Sequence, residues 1–205
     1  MKNMKKIHVL ALAALLLVAV SVAGTVAYLT ATTTPVTNTF SPANIDLELK
    51  ETLQSDGSDL GTADWKGQLI PGATLKKDPK VTVTYDVACY VFIKVDETNW
   101  NDDIATYTIA DGWTELSGIN GLVWYKEFAQ PTQQTTEEIL VIKDNQITVK
   151  DVGKTELDGL YVTKGGVKTA KDIKLVFTAY ACQKANGTSE FSAAEAWAKV
   201  APTTP

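Results

Sequence analysis

The sequence predicts an all-β protein, an antiparallel β-sandwich with one short C-terminal helix. Val and Thr dominate runs in which apolar and polar residues alternate with period two, the pattern of half-buried strands. The dipeptides Asp111-Gly112, Asn120-Gly121, Asp144-Asn145, Asp158-Gly159 and Gly165-Gly166 separate these runs and suit the positive φ of tight hairpins. About ten short strands so punctuated indicate an antiparallel sandwich rather than a parallel α/β sheet.

At the N-terminus Lys2, Lys5 and Lys6 precede an apolar run from Ile7 to Val22, followed by the small residues Ala23, Gly24, Thr25 and Ala27. This is the layout of a secretory signal peptide, so residues 1–27 are expected to be a leader cleaved between Ala27 and Tyr28. The alternative is a retained anchor, since about 20 apolar residues suffice to cross a bilayer. Residues 28–40 are a Thr-rich segment containing Pro35, too polar to bury itself and biased toward extended backbone by its β-branched residues. The sandwich is expected over residues 41–200 and a disordered tail over residues 201–205.

Ile45, Leu47 and Leu49 alternate with Asp46, Glu48 and Lys50, giving the first strand one buried and one wet face. From Val81 to Val95 every second residue is apolar, and the opposite face changes from Thr82, Thr84 and Asp86 to Ala88, Tyr90 and Phe92. Such a run is a central strand with two apolar faces, or one that changes partners partway. Further strands are predicted at Ala105–Ala110, Trp113–Leu116, Leu122–Phe128, Ile139–Ile142, Gln146–Lys150, Leu160–Thr163 and Asp172–Gln183, with a polar loop at Gln130–Glu138. Ser192 and Glu195 form a capping box for a helix from Ala193 to about Val200, with Phe191 placed to staple onto Ala196.

Composition restricts the chemistry. The chain of 205 residues carries 19 Lys and no Arg, so the bidentate donor that favours phosphate is missing and nucleic-acid binding is not expected. Its one His, His8, lies in the leader; from Tyr28 onward there are 178 residues, no His, no Arg, no Met and a net charge of −8. Without imidazole, neither a Ser/His/Asp nor a Cys/His arrangement can form, and the commonest zinc ligand is absent. Catalysis by paired carboxylates or a lysine stays open, but 24 acidic residues make a chance pair uninformative. No catalytic residue, metal or cofactor is assigned.

Oxygen-bearing side chains at Asp96, Glu97, Asn99, Asn101, Asp102 and Asp103 could hold Ca²⁺, although such a run after a strand is usually a solvated turn. Asp56-Gly57-Ser58-Asp59 reads as a loop tip, and Asn186-Gly187-Thr188 reads equally as a glycosylation sequon or a turn. Trp113, Trp124 and Trp197 fall in strands or the helix and are expected in the core; Trp65 and Trp100 fall in loops and are candidates for an exposed contact with carbohydrate. Cys89 and Cys182 form a possible disulfide in an exported chain, or two small buried hydrophobes.

Several segments carry a family resemblance. Gly24-Thr25-Val26-Ala27-Tyr28-Leu29-Thr30, Val36-Thr37-Asn38-Thr39-Phe40 and Ile45-Asp46-Leu47-Glu48-Leu49 resemble the start of TasA/camelysin-type exported proteins of Gram-positive bacteria, whose leaders are removed by a SipW-type signal peptidase. Leu69-Ile70-Pro71-Gly72, the run Ala88–Val95, Asp111-Gly112-Trp113, Val123-Trp124-Tyr125-Lys126, Ala179–Gln183 and Ala193–Trp197 are similar to later family segments, in the same order.

The resemblance implies a jelly-roll-like sandwich that polymerises into extracellular biofilm-matrix fibres. It implies donor-strand complementation, in which Tyr28, Leu29, Thr30, Ala31, Thr32, Thr33, Thr34, Pro35 and Val36 of one copy complete the sheet of another. The partners implied are copies of the chain itself, the signal peptidase and an accessory anchoring protein, in the extracellular matrix or at the cell surface. Alternatives are a monomeric surface adhesin or carbohydrate-binding module, and a camelysin-type metallopeptidase, which the missing imidazole disfavours.

Overall fold

The computed structural model describes residues 44–202 except 120 and 187. The expected leader, its cleavage point at Ala27 and Tyr28, the donor segment Tyr28–Val36 and residues 203–205 lie outside the described residues. Within them, twelve strands alternate with few helical residues, and every strand pair is antiparallel.

The expected strand Ile45–Leu49 is β1 (Ile45–Lys50). The long run from Val81 divides into β3 (Lys80–Tyr85) and β4 (Cys89–Thr98), with a bend at Asp86–Ala88 between them. Both readings of that run hold, because the chain changes sheets at the bend and β4 is then central. One sheet has the order β1-β3-β8, with β8 at Thr135–Leu140; the other has the order β12-β4-β7-β6, with β6 at Thr114–Glu115, β7 at Leu122–Phe128 and β12 at Lys174–Gln183.

The principal core lies between these two sheets. Val81, Val83 and Tyr85 from β3 meet Cys89, Val91, Ile93 and Val95 from β4, with Phe128 and Ile139 at the sides. β1 faces β12 across this interface, Ile45, Leu47 and Leu49 packing in the same cluster as the small Ala179 and Ala181.

The other face of β4 has a separate cover. Tyr90 and Phe92 point away from the first sheet and pack under Ala196 and Trp197 of a helix at Ala193–Val200. Both halves of the predicted capping box are made: Glu195 N–H donates to Ser192 Oγ at 3.3 Å, and Ser192 N–H donates to Glu195 Oε2 at 2.8 Å. Phe191 joins the same apolar cluster as Ala196, as a staple requires. Ser192→Ala should therefore lower the unfolding free energy by about 1 kcal/mol, measurable by thermal denaturation.

A third, smaller sheet has the order β2-β9-β5 and buries Leu75, Ala105, Ile147 and Val149, with β2 at Thr74–Lys76, β5 at Ala105–Thr106 and β9 at Gln146–Val149. The predicted strand Ala105–Ala110 is thus shortened to two residues plus a bridge at Ile109. Conversely, β8 begins inside the segment expected to be a polar loop. It is an edge strand whose Glu137 and Glu138 stay wet, so only Ile139 is fully buried.

Asp158-Gly159 is no hairpin turn: it closes a short helix, α1 (Lys154–Asp158), whose five residues are too few to show a period. Gly165-Gly166 does form a two-residue turn, with φ of 57° and 82°, between β10 (Tyr161–Lys164) and β11 (Val167–Ala170). The C-terminal helix is α2. Among the described residues no helix is long and apolar enough to cross a membrane.

Candidate functional site

The candidate reactive groups resolve into structural ones. Asn101 Oδ1 accepts Asp103 N–H at 2.9 Å, Asp102 Oδ1 accepts the Trp100 indole N–H at 3.0 Å, and Glu97 Oε1 accepts the Tyr107 hydroxyl at 2.8 Å. The acidic run is therefore occupied by turn and strand-end hydrogen bonds. Among the described residues no three His, Cys, Asp or Glu side chains converge as a metal site would require. Asp56 accepts Ser58 N–H at 2.9 Å, making the loop tip read from sequence, and Asn186 Oδ1 accepts Thr188 and Ser189 N–H as a turn.

The possible disulfide between Cys89 and Cys182 is corrected: both are free thiols. They lie on adjacent strands, but Cys89 pairs with Gln183 and Cys182 with Tyr90, one step out of register. Because strand side chains alternate faces, Cys89 enters the inter-sheet core and Cys182 the helix-covered face. Two Cβ vectors pointing to opposite faces cannot be bridged.

Burial, with lesser help from Cys182 and Glu137, pushes the Cys89 thiol up to about 12, and burial also raises Cys182. The folded protein should thus resist thiol-disulfide exchange reagents at pH 8 and react fully once denatured. The thiol titrates at 9.0 unperturbed, so its neutral form stabilises the fold at lower pH. That contribution is lost as pH rises from about 9 toward about 12.

Two buried charged residues anchor the other end of β1. Asp78 accepts Thr52 N–H at 3.0 Å, Leu53 N–H at 2.9 Å and the Thr52 hydroxyl. Burial pushes its carboxyl up, but these bonds and nearby Lys80 outweigh that and hold it below the ordinary value. Lys77 Nζ pairs with Glu51 at 2.5 Å and lies 4.6 Å from the Trp65 ring centroid. These groups satisfy one another and leave no free nucleophile or base.

What remains is an edge. β12 pairs with β4 along all ten residues, from Lys174 opposite Thr98 to Gln183 opposite Cys89, and no strand among the described residues pairs with its outer side. From Leu175 to Cys182 it carries no charge. The competing edges are blunted: β1 bears Asp46, Glu48 and Lys50, β8 bears Glu137 and Glu138, and β6 is two residues long. A long, uncharged edge presents unpaired backbone donors and acceptors to an incoming strand.

At the N-terminal end of β12 the edge opens into a cleft of about 860 Å³. Trp65 and Trp100, 35 positions apart in sequence, both line it, and both indole N–H groups are tied back into the protein, Trp65 to the Lys76 carbonyl at 3.0 Å and Trp100 to Asp102. Gly67 lies so close that a Cβ there would sit 2.6 Å from Trp65 Cη2. The cleft is not visible in the sequence, because the segments that form it are far apart in the chain: the loop before β2, Trp100 after β4, Ile147 of β9, the stretch from α1 into β10, and the end of β11 with the start of β12.

Fold and edge together define an antiparallel β-sandwich in which, among the described residues, the outer side of β12 is a long edge without a partner strand. Compared with protein-family models, curated proteins and solved structures, the chain matches none.

Proposed function

We propose that this chain is an exported structural subunit that polymerises into extracellular biofilm-matrix fibres, the segment Tyr28–Val36 of one copy pairing with the outer edge of β12 on the next. The observation that carries the reading is that edge, a ten-residue strand uncharged after Lys174, where every rival edge among the described residues is short or charged. The lengths also agree: nine extended residues span about 30 Å and β12 about 33 Å. Pro35 lacks a ladder donor, which suits the end of the added strand rather than its middle.

Chemistry supports assembly over catalysis, since the chain from Tyr28 onward has no His and no Arg, and its net charge of −8 keeps unassembled copies apart. The leader would be removed by a signal peptidase, and an accessory protein would anchor the fibre. A monomeric carbohydrate-binding module is less well supported. Trp65 and Trp100 do share a cleft, but their N–H groups are already bonded and the lining is mainly aliphatic. Electron microscopy of filaments from the whole chain and from a chain lacking residues 28–36 tests the proposal.

A further inference from the structure

The cleft beside β12 has a composition that strand addition does not use. Its floor and walls are aliphatic and aromatic, among them Leu75, Ile147, Leu160 and Leu175 with Trp65 and Trp100. Ile70 and Val176, exposed by 55% and 46%, extend this surface to the mouth. Apolar side chains held open to water at a concave site mark a surface that a ligand can cover.

The charge at the cleft runs against that of the chain. Four lysines, Lys66, Lys77, Lys171 and Lys174, line it with a single carboxylate, Asp172, in a protein whose acids outnumber its bases. Lys174 is paired with Asp172 at 2.7 Å and Lys77 with Glu51. Lys66 and Lys171 are left without a carboxylate partner among the described residues. A sugar would need hydrogen-bonding side chains along its length, and apart from the charged groups and the two bonded indoles only Gln68 and Tyr161 offer one. An acyl chain needs none, and two unpaired ammonium groups suit one anionic head.

We infer that this cleft binds a single-chain anionic amphiphile, a long-chain carboxylate, with the chain on Leu75, Leu160 and Leu175 and the head at Lys66 and Lys171. A volume of about 860 Å³ lies within the range of small-molecule sites, roughly 300–1,000 Å³. The inference is independent of the fibre reading, since it uses side chains in the cleft and not the backbone edge of β12.

The test titrates dodecanoate, below its micelle concentration, into the full chain and into Ile70→Asp and Lys66→Glu/Lys171→Glu variants, reading tryptophan emission. Uptake by the apolar leader is common to all three proteins and cancels. The expected result is a saturable change that Ile70→Asp weakens about tenfold or more and the double charge reversal also weakens. Dodecyltrimethylammonium should give no such response in the unsubstituted chain. Both variants change exposed side chains, and circular dichroism checks that they fold. Equal titrations in all three proteins, or a preference for the cationic amphiphile, would overturn the assignment. So would a silent monomer whose cleft is protected in filaments, since a second copy would then be its occupant.

Discussion

Chains lacking residues 28–36 should fold and remain monomeric while the whole chain forms filaments. Among the described residues the core clusters draw on side chains from Ile45 onward, so a chain without residues 28–36 keeps every core contact they make with one another. Assembly should respond very differently. At roughly 1 kcal/mol net per backbone hydrogen bond, a strand making even four such bonds is worth about 4 kcal/mol, or about a thousandfold in association constant. Because an open head-to-tail polymer repeats that contact at each subunit, filaments should vanish from electron micrographs rather than shorten. A deletion chain that still forms filaments would show that another segment joins the copies.

Phe92→Ala should be the most damaging single substitution in the domain, lowering its stability by about 3–5 kcal/mol. Phe92 is fully buried, its ring 5.4 Å from Trp197 and 6.3 Å from Tyr125, so together with Tyr180, 5.2 Å from Trp197, it forms the surface on which α2 docks. Tyr90 and Tyr125 are held by the sheet and Trp197 by the helix above it, so close packing lets them collapse only partly into the space left behind. For a domain of this size each 1 kcal/mol lowers Tm by roughly 2–4 °C, so a fall of about 6–20 °C is expected by circular dichroism. Phe92→Leu, which keeps an apolar side chain of similar bulk, should recover most of it.

The sequence announced the two-faced character of β4, because Tyr90 and Phe92 turn apolar where Thr82 and Thr84 had been polar. It announced α2 through Ser192, Glu195 and Phe191, whose signal is local. What it could not show depends on pairing between distant segments. Cys89 and Cys182 look like a disulfide until the register of β12 against β4 sends them to opposite faces. The edge status of β12 is equally hidden, since its apolar alternation would suit a central strand. β8 and α1 were missed for another reason: wet edge strands and helices of one turn carry little periodicity.

Hydrogen–deuterium exchange, compared between monomer and filament, tests the strand-addition account most directly. Amides on the outer side of β12, from Leu175 to Cys182, should exchange quickly in the monomer and become protected in the filament, with β1 and β8 unchanged. Protection appearing at β1 or β8 while β12 stays open would contradict it.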